Sequence, residues 1–379
     1  MKNQLSILHV CPRPSFSGLE AYALSLAIDQ KQRGCNVSFY VLPDSPLALQ
    51  CQAQNFEIIL PDEFKNRLKV GIQNRNWDII HLHSTQDLNS ILPSMLGAKF
   101  KSLKLPKVIL QTHILISHSK KDPIHFLKYL FVDEMWCSSL PAKKMLEGFI
   151  PIAKEKIKIK RYGRNIEKTL NGFLSRNDAR KILGVPTDAV VAGLVSRIDP
   201  QKGIKEFLFG ALDLVKKYSQ LHLVFIGGRT QDDPKAWAYA DELEKFHKAL
   251  PDDLRSRIHF KGEMKDSFQY MRGLDLYALP SYKECFALSL LEAQLAELPV
   301  LGTDAGGTPD IVIEGQTGYL FQAKSESSSR AALARALESQ NLWSEFGQRA
   351  KKRILDEFDF EKISAEVIDS YQKLKDENQ

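Results

Sequence analysis

Glu284 and Glu292 stand on either side of seven mostly apolar residues in the stretch YKECFALSLLEAQLAELPVLGTDAGGTPD, residues 282–310. Pro280 and Ser281 close a strand, and the spacing from Phe286 to Ala296 predicts a helix that stops at Pro299. Glu284 then falls in the loop ahead of the helix and Glu292 about two turns inside it, on the order of 10 Å further along. The first free amide groups of such a helix, near Phe286, Ala287 and Leu288, point out of its positive end and suit a diphosphate. One acid beyond the phosphates could hold sugar hydroxyls and the other ribose hydroxyls, since carboxylates accept well from vicinal diols. A sugar nucleotide has that length and that order of groups. The plain alternative is that Glu292 is a salt-bridged helix residue.

Two cations support the ligand reading. The segment VVAGLVSRIDPQKGI carries Arg197 and Lys202 on one strand–helix loop shaped by Pro200 and Gly203. Arg supplies a planar fork and Lys a movable point charge, which together make a phosphate clamp, although an ordinary cationic surface loop reads the same way. Earlier, PRPSFSGLEAYAL places Ser17 and Gly18 at a helix start, suited to close approach of an anion or sugar, or else a plain strand-to-helix turn. The loop is not GxGxxG, so a dinucleotide site is not expected. KVILQTH ends on His113, and a histidine at that end of a strand tends to face a cleft. From residue type and position alone, His81, His83, His118 and His125 remain open beside it.

These residues need a frame. LSILHVCP, NVSFYVL, WDIIHLHS and KVILQTH read as short buried strands, with GLEAYALSLAIDQKQRG as an amphipathic helix ending at Gly34. The pattern pauses in a basic segment after Ile150. It restarts with AVVAGLVSRID, LHLVFIGG, RIHFKGEM, DLYALPS and PVLGTD as strands with helices between them. Apolar strands alternating with helices predict parallel sheets covered on both faces. The fold class expected is α/β, with two Rossmann-like doubly wound domains facing across a cleft. Their boundaries fall at 1–163 and 164–354, and a C-terminal helix over 355–379 crosses back. Ligands in such sheets sit beyond the carboxyl ends of the strands, so the loops just after each strand are the ones that matter.

At 379 residues, 44% hydrophobic and 26% charged, the chain suits two globular domains and neither a disordered nor a fibrous class. No apolar run approaches a membrane span, and MKNQLSILHVCPRP reads as a first strand instead of a signal sequence. The five scattered cysteines form no CxxC pair, which argues for reduced thiols and against a disulfide framework or a zinc site. The formal charge of +6 is modest, with basic residues clustered at 97–107, 117–122 and 153–164. Without interleaved aromatics these exclude a nucleic-acid reading, and leave either a solvated face or a contact with an anionic membrane or acceptor.

The arrangement resembles the GT4 family of retaining glycosyltransferases, with the GT-B architecture. The resemblance covers nearly the whole chain. It rests on SGLEAYALSLAIDQKQRGCNV, on SRIDPQKGI, and most specifically on SYKECFALSLLEAQLAELPVLGTDAGGTPDIVIEGQTGYLF with its two glutamates eight positions apart. It implies that Glu284 contacts the transferred sugar and Glu292 the ribose. Arg197 and Lys202 would bind the diphosphate with the amides from Cys285 and Phe286 to Ala287 and Leu288. His113 would lie near the reacting sugar carbon, Gly18 would approach phosphates or acceptor, and Glu263–Met264 would line the base pocket. The turn DAGGTPDIV would be mainly structural. Ser17, Ala287 and YGRNIEK depart from the family's pattern, which touches donor details more than reaction type.

The resemblance further implies transfer from a UDP- or GDP-linked sugar to an acceptor hydroxyl, with retention, front-face attack and the departing phosphate taking the acceptor proton. No D-x-D motif appears, so neither metal nor other cofactor is expected beyond the nucleotide-sugar donor. Rival readings are a sugar-nucleotide epimerase or hydrolase, and a non-catalytic sugar-nucleotide-binding protein. The expected acceptor is a glycan or a cell-envelope glycolipid. The expected location is the cytoplasm, with peripheral contact at the inner face of the membrane.

Overall fold

The computed structural model describes residues 4–116, 118–230 and 233–377. Residues 1–3, at the start of the predicted first strand, and Ser117, at the head of the basic stretch 117–122, lie outside the described residues. The chain divides into two compact units, Met1–Tyr162 with Glu361–Gln379, and Gly163–Phe360. The first boundary falls one residue before the expected one. The second falls after Phe360, so residues 355–360 count with the second unit.

In the first unit, β1 (Ser6–Val10), β2 (Asn36–Tyr40), β3 (Glu57–Ile59), β4 (Ile79–Leu82), β5 (Lys107–Gln111), β6 (Glu134–Cys137) and β7 (Ile157–Ile159) form one sheet. Their order is β3-β2-β1-β4-β5-β6-β7. Every pairing is parallel, as expected when both faces are covered by helices. The register sets His9 opposite His81. Side chains alternate along a strand, so His9, His81 and His83 share one face.

In the second unit, β8 (Val190–Val195), β9 (Leu221–Ile226), β10 (Ile258–Phe260), β11 (Leu276–Leu279), β12 (Val300–Thr303) and β13 (Gly318–Phe321) form the other sheet. The order is β10-β9-β8-β11-β12-β13. It too is parallel throughout. The helix Ile204–Lys217 covers one face through Phe207, Leu208, Ala211 and Val215, all buried. Each sheet reverses its order between its first and fourth strands, the switch point at which doubly wound sheets bind ligands.

The differences from the sequence reading have physical causes. β7 lies inside the basic segment after Ile150, where Lys158 points outward between two isoleucines on an edge strand. β5 ends at Gln111, so Thr112 and His113 lie just beyond it. The helix expected from Phe286 begins at Leu288, leaving Phe286 and Ala287 in the approach to it. Gly163 permits the outgoing chain to touch the returning one: a Cβ there would lie 2.6 Å from Cα of Phe360. The bonds Arg164 N to Phe358 O (2.9 Å) and Phe360 N to Arg164 O (3.1 Å) seal that contact. The terminal helix Phe360–Asp376 then buries Ile363, Val367, Tyr371 and Leu374. Tyr371 stacks on Trp136 of β6, ring centroids 5.5 Å apart, so this helix completes the core of the first unit.

Candidate functional site

The second unit assembles its loops through glycine contacts. Asp199 caps the turn Pro200–Lys202, its carboxylate accepting from the Gln201 amide at 2.8 Å. Gly203 follows in a left-handed conformation (φ 63°), where a Cβ would lie 2.1 Å from the Pro280 carbonyl oxygen. Only glycine admits that approach, and it lets the Tyr282 amide donate to the Gln201 carbonyl at 2.8 Å. The loop after β8 is thereby laid against the loop after β11. The result is a direct contact between Lys202 Nζ and Glu284 Oε2 at 2.9 Å, both side chains partly exposed.

Glu284 is held from its other side as well. Gly306 is left-handed (φ 60°) and a Cβ there would lie 2.1 Å from the Glu284 carbonyl oxygen. Gly307 N donates to that oxygen at 2.7 Å. The turn DAGGTPDIV is thus a clamp on the Glu284 backbone.

The helix Leu288–Leu295 follows, with Ala287 at its N-cap. Alanine has no side-chain acceptor, no side chain caps this end, and no acid occupies the first turn. The positive end of the helix therefore has no carboxylate in its own cap or first turn, and the Lys202–Glu284 pair lies in the loop that leads into it. Cys285, Phe286 and Ala287 are buried along the approach.

Arg197 is exposed, just past β8, and its guanidinium makes no ion pair among the described residues. Its loop is fixed by Gly227 and Gly228 after β9. A Cβ on Gly227 would lie 1.8 Å from the Ser196 carbonyl oxygen, and one on Gly228 would lie 3.0 Å from Cβ of Glu263. The Ile198 amide donates to the Gly228 carbonyl at 2.8 Å. Arg197's loop and the turn bearing Glu263 and half-buried Met264 therefore meet at this glycine pair.

Glu292 is buried inside the helix and ion-paired with Arg164. Burial pushes its carboxyl up, and the Arg164 charge opposes that shift. Glu292 is thus salt-bridged here, and its partner stands in YGRNIEK, the segment that departs from the family's pattern. Sequence reasoning missed Arg164, Gly227 and Gly228. The GG pair directly after a strand was the available signal for the latter two.

In the first unit Gly18 begins the helix Gly18–Gln32, and a Cβ there would meet nothing within 4 Å. The Ser17 amide and hydroxyl both donate to Glu20, at 2.7 and 2.6 Å. A buried carboxylate thus already sits at this helix start. Also at strand ends, Arg13 pairs with buried Asp87 at 2.8 Å. Burial raises the Asp87 carboxyl to about 7, against the pull of Arg13. The sequence reading did not single out this pair.

His113 is half-buried, and it ends a chain of hydrogen-bonded side chains. Its Nδ1 meets the Tyr162 hydroxyl at 2.7 Å and its Nε2 meets His83 Nδ1 at 3.4 Å. His83 Nε2 meets His9 Nδ1 at 2.9 Å, and His9 Nε2 meets Gln30 Oε1 at 2.8 Å. Gln30 Nε2 donates to Tyr371 Oη at 3.4 Å, and that oxygen meets His81 Nδ1 at 2.6 Å. Burial lowers His113 to about 3 and His9 to about 4, and holds His81 and His83 well below the usual range. All four are neutral at neutral pH. A neutral imidazole donates from one nitrogen and accepts at the other, so fixing one tautomer in this chain fixes the next.

His9, His81 and His83 offer nitrogens within 4.8 Å of one another. Their orientation does not suit an ion. A metal lies in the plane of each imidazole that ligates it, about 2.0–2.1 Å from the nitrogen. His81 and His83 are stacked, ring centroids 4.4 Å apart and planes 26° apart, so their in-plane lone pairs run side by side. The trio is a hydrogen-bonded stack. Of the other histidines, His81 and His83 are wholly buried, His118 is exposed, and His125 pairs with the exposed Asp122.

Comparison with known proteins agrees with this frame. Residues 175–353 match the family described as glycosyl transferases group 1. Trehalose synthase of Thermococcus litoralis is 26% identical over 194 residues, 50% of this chain and 46% of that protein. The lipopolysaccharide core biosynthesis mannosyltransferase LpcC of Rhizobium leguminosarum is 28% identical over 195 residues, 52% of this chain and 54% of that protein. The chain spans about half the length of the curated relatives it matches. Among solved structures, a glycosyltransferase from Rickettsia africae superposes with a TM-score of 0.83 at 16% identity, covering 98% of this chain and 99% of that one. HepE of Anabaena in complex with UDP gives 0.79 at 19% identity, covering 98% and 100%. The chain therefore has the GT-B fold, and its residues 175–353 are similar in sequence to the glycosyl transferases group 1.

Proposed function

We propose that this protein is a retaining glycosyltransferase of the GT4 type, moving a hexosyl group from a nucleotide diphosphate sugar to an acceptor hydroxyl. The observation that carries the reading is the contact of Lys202 with Glu284 beside the uncapped start of the helix Leu288–Leu295. A cation, a helix end with no anion of its own and a carboxylate are thus grouped in one place. The first two suit the diphosphate and the third suits sugar hydroxyls. Arg197, exposed on the same loop as Lys202, adds a second cation for the phosphates.

In this reading the developing charge on the leaving diphosphate is stabilised by Lys202, Arg197 and the amides at Ala287 and Leu288. The departing phosphate takes the acceptor proton, and neither a metal nor another cofactor supplies charge. Glu284 orients the transferred sugar and His113 offers a neutral imidazole to carbohydrate hydroxyls. Glu292 would exchange its Arg164 partner for, or share it with, the ribose. Met264 would line the base pocket.

HepE has been solved with UDP and with UDP-glucose, and LpcC is a mannosyltransferase. UDP- and GDP-linked hexoses are the donors to try first. The test is a panel of such donors read by thermal shift and then by transfer in the presence of a chelator. A matched donor raises the melting temperature, and the chelator leaves transfer intact. A donor that is consumed at the same rate with and without acceptor supports a hydrolase instead.

A further inference from the structure

The sequence reading weighed only the lysines of the first unit; the structure adds an apolar surface between them. The helix Pro123–Tyr129 is inverted with respect to an ordinary surface helix. Tyr129 is buried, while Ile124, Phe126, Leu127 and the adjoining Leu130 are 66%, 52%, 44% and 65% exposed. At a helical pitch these four fall within one arc facing away from the protein. Phe100, at the end of the helix Leu88–Phe100, is 87% exposed, and Ile114, the residue after His113, is 68% exposed. Half of the large apolar side chains that are exposed among the described residues therefore lie between positions 100 and 130. Scattered exposed apolar residues need no explanation, but a helix that turns its apolar face outward does.

The charge around this surface is mostly positive, with Asp122 at the start of the helix as the acid within the segment. Residues 97–131 contain seven lysines, no arginine and a single acid, Asp122. That balance equals the formal charge of +6 of the whole chain, so outside this segment basic and acidic residues cancel. Lys107 is answered by Asp133. The other six, Lys99, Lys101, Lys104, Lys120, Lys121 and Lys128, pair with no carboxylate among the described residues. Lysine and apolar groups are in contact along the patch. Lys99 and Lys104 line one depression with Leu130, and Lys99 Nζ lies 5.5 Å from the centroid of the Phe131 ring.

We propose that this face docks on a bilayer that carries anionic lipid headgroups, with Ile124, Phe126, Leu127 and Leu130 entering the headgroup–acyl boundary and the lysines meeting phosphates. An apolar helix face flanked by lysines is what lies in such an interface, held by the apolar contact and the charge attraction together. An apolar groove for a protein would not require so large an excess of positive charge, and a soluble polyanion would not require the phenylalanines and leucines. No helix among the described residues is long and apolar enough to cross a membrane, and the contact proposed is a peripheral one. The docking itself stands on these observations. Only its use, to present a lipid-borne acceptor hydroxyl near the loop that carries His113, rests on the transferase reading.

The full chain is floated with vesicles of phosphatidylcholine, alone or mixed with phosphatidylglycerol. It is expected on the mixed vesicles only, with binding that falls as salt rises. The F126S/L130S and K99Q/K101Q/K104Q variants are each expected to lose about tenfold or more in partitioning. All five positions but Leu130 and Phe126 are hydrophilic already, and those two are exposed, so the melting curve is expected unchanged and serves as the folding control. Equal flotation with neutral vesicles, or flotation unaffected by both variants, overturns the proposal. So does a wild-type dimer that F126S/L130S dissolves without any vesicle binding, which would assign the face to a second copy. Nucleotide-sugar thermal shift is read on the same samples: if it persists while flotation fails, only the docking is wrong, and the converse condemns only the transferase reading.

Discussion

Lys202 Nζ lies 2.9 Å from Glu284 Oε2, although the two residues come from loops after different strands of the second sheet. Gly203 and Gly306, both left-handed and both in contact with the second loop, hold that geometry. A lysine that bound only this carboxylate would be a minor surface ion pair, worth about 0–1 kcal/mol. In the proposed site, next to an uncapped helix start, it would meet a phosphate instead.

Lys202→Ala is expected to lower transfer by about a hundredfold or more, the scale on which removal of a charge-stabilising group acts. Its melting temperature should stay close to wild type because both partners are partly exposed. Steady-state kinetics beside a thermal melt decide it. Full activity would show that the cation serves the carboxylate alone.

The pair Glu292–Arg164 separates a ribose contact from a structural ion pair. Arg164→Gln leaves a buried carboxylate without its counter-charge and is expected to destabilise by about 1–3 kcal/mol, less than for a wholly buried pair. Glu292→Gln should raise the donor KM with a smaller effect on kcat. An unchanged KM in a folded variant would leave Glu292 with the structural role only.

The histidine stack makes stability depend on acid. His9 is lowered by burial from 6.5 to about 4, and His81 and His83 are lowered too. Below pH 6.5 the unfolded chain therefore binds protons that the folded one refuses. Their contribution is complete above pH 6.5 and is lost as pH falls toward 4, on the order of 3 kcal/mol for His9 alone. Chemical denaturation at a series of pH values should show the fall in that window. His9→Phe, which would stack on Phe39 without titrating, should make the fall shallower, with His81 and His83 supplying what remains.

His83 also joins His113 to the stack. His83→Leu should leave His113 without its Nε2 partner and give it a mixture of tautomers by nitrogen NMR. The expected cost is about tenfold in kcat with the donor KM unchanged. A single unchanged tautomer would show that Tyr162 alone orients the ring.

The fold was legible where strands are apolar runs, as in β1, β4, β8 and β9. It was not where they are short and carry charge: β3 begins on Glu57, β6 on Glu134, and β7 has Lys158 at its centre, nor in β13, four residues that open on a glycine. In the site, Arg197, Lys202 and Glu284 were readable because each follows a strand, and doubly wound sheets gather such loops. Arg164 was not, since its approach to Glu292 depends on how the segment 163–165 packs in the second unit. The histidine chain was half visible. His81 and His83 stood out in one strand, but His9 joins them only through the β1–β4 register and Tyr371 only through the return of the last helix.

The diphosphate site can be tested without an acceptor. Calorimetric titration of UDP, UMP and uridine, repeated with GDP, GMP and guanosine, into wild type and Lys202→Ala isolates the phosphates. One diphosphate is expected to bind at least tenfold more tightly than its monophosphate and nucleoside, and Lys202→Ala to remove most of the difference. Equal affinity across the series, or a difference that survives the loss of Lys202, would contradict the diphosphate site.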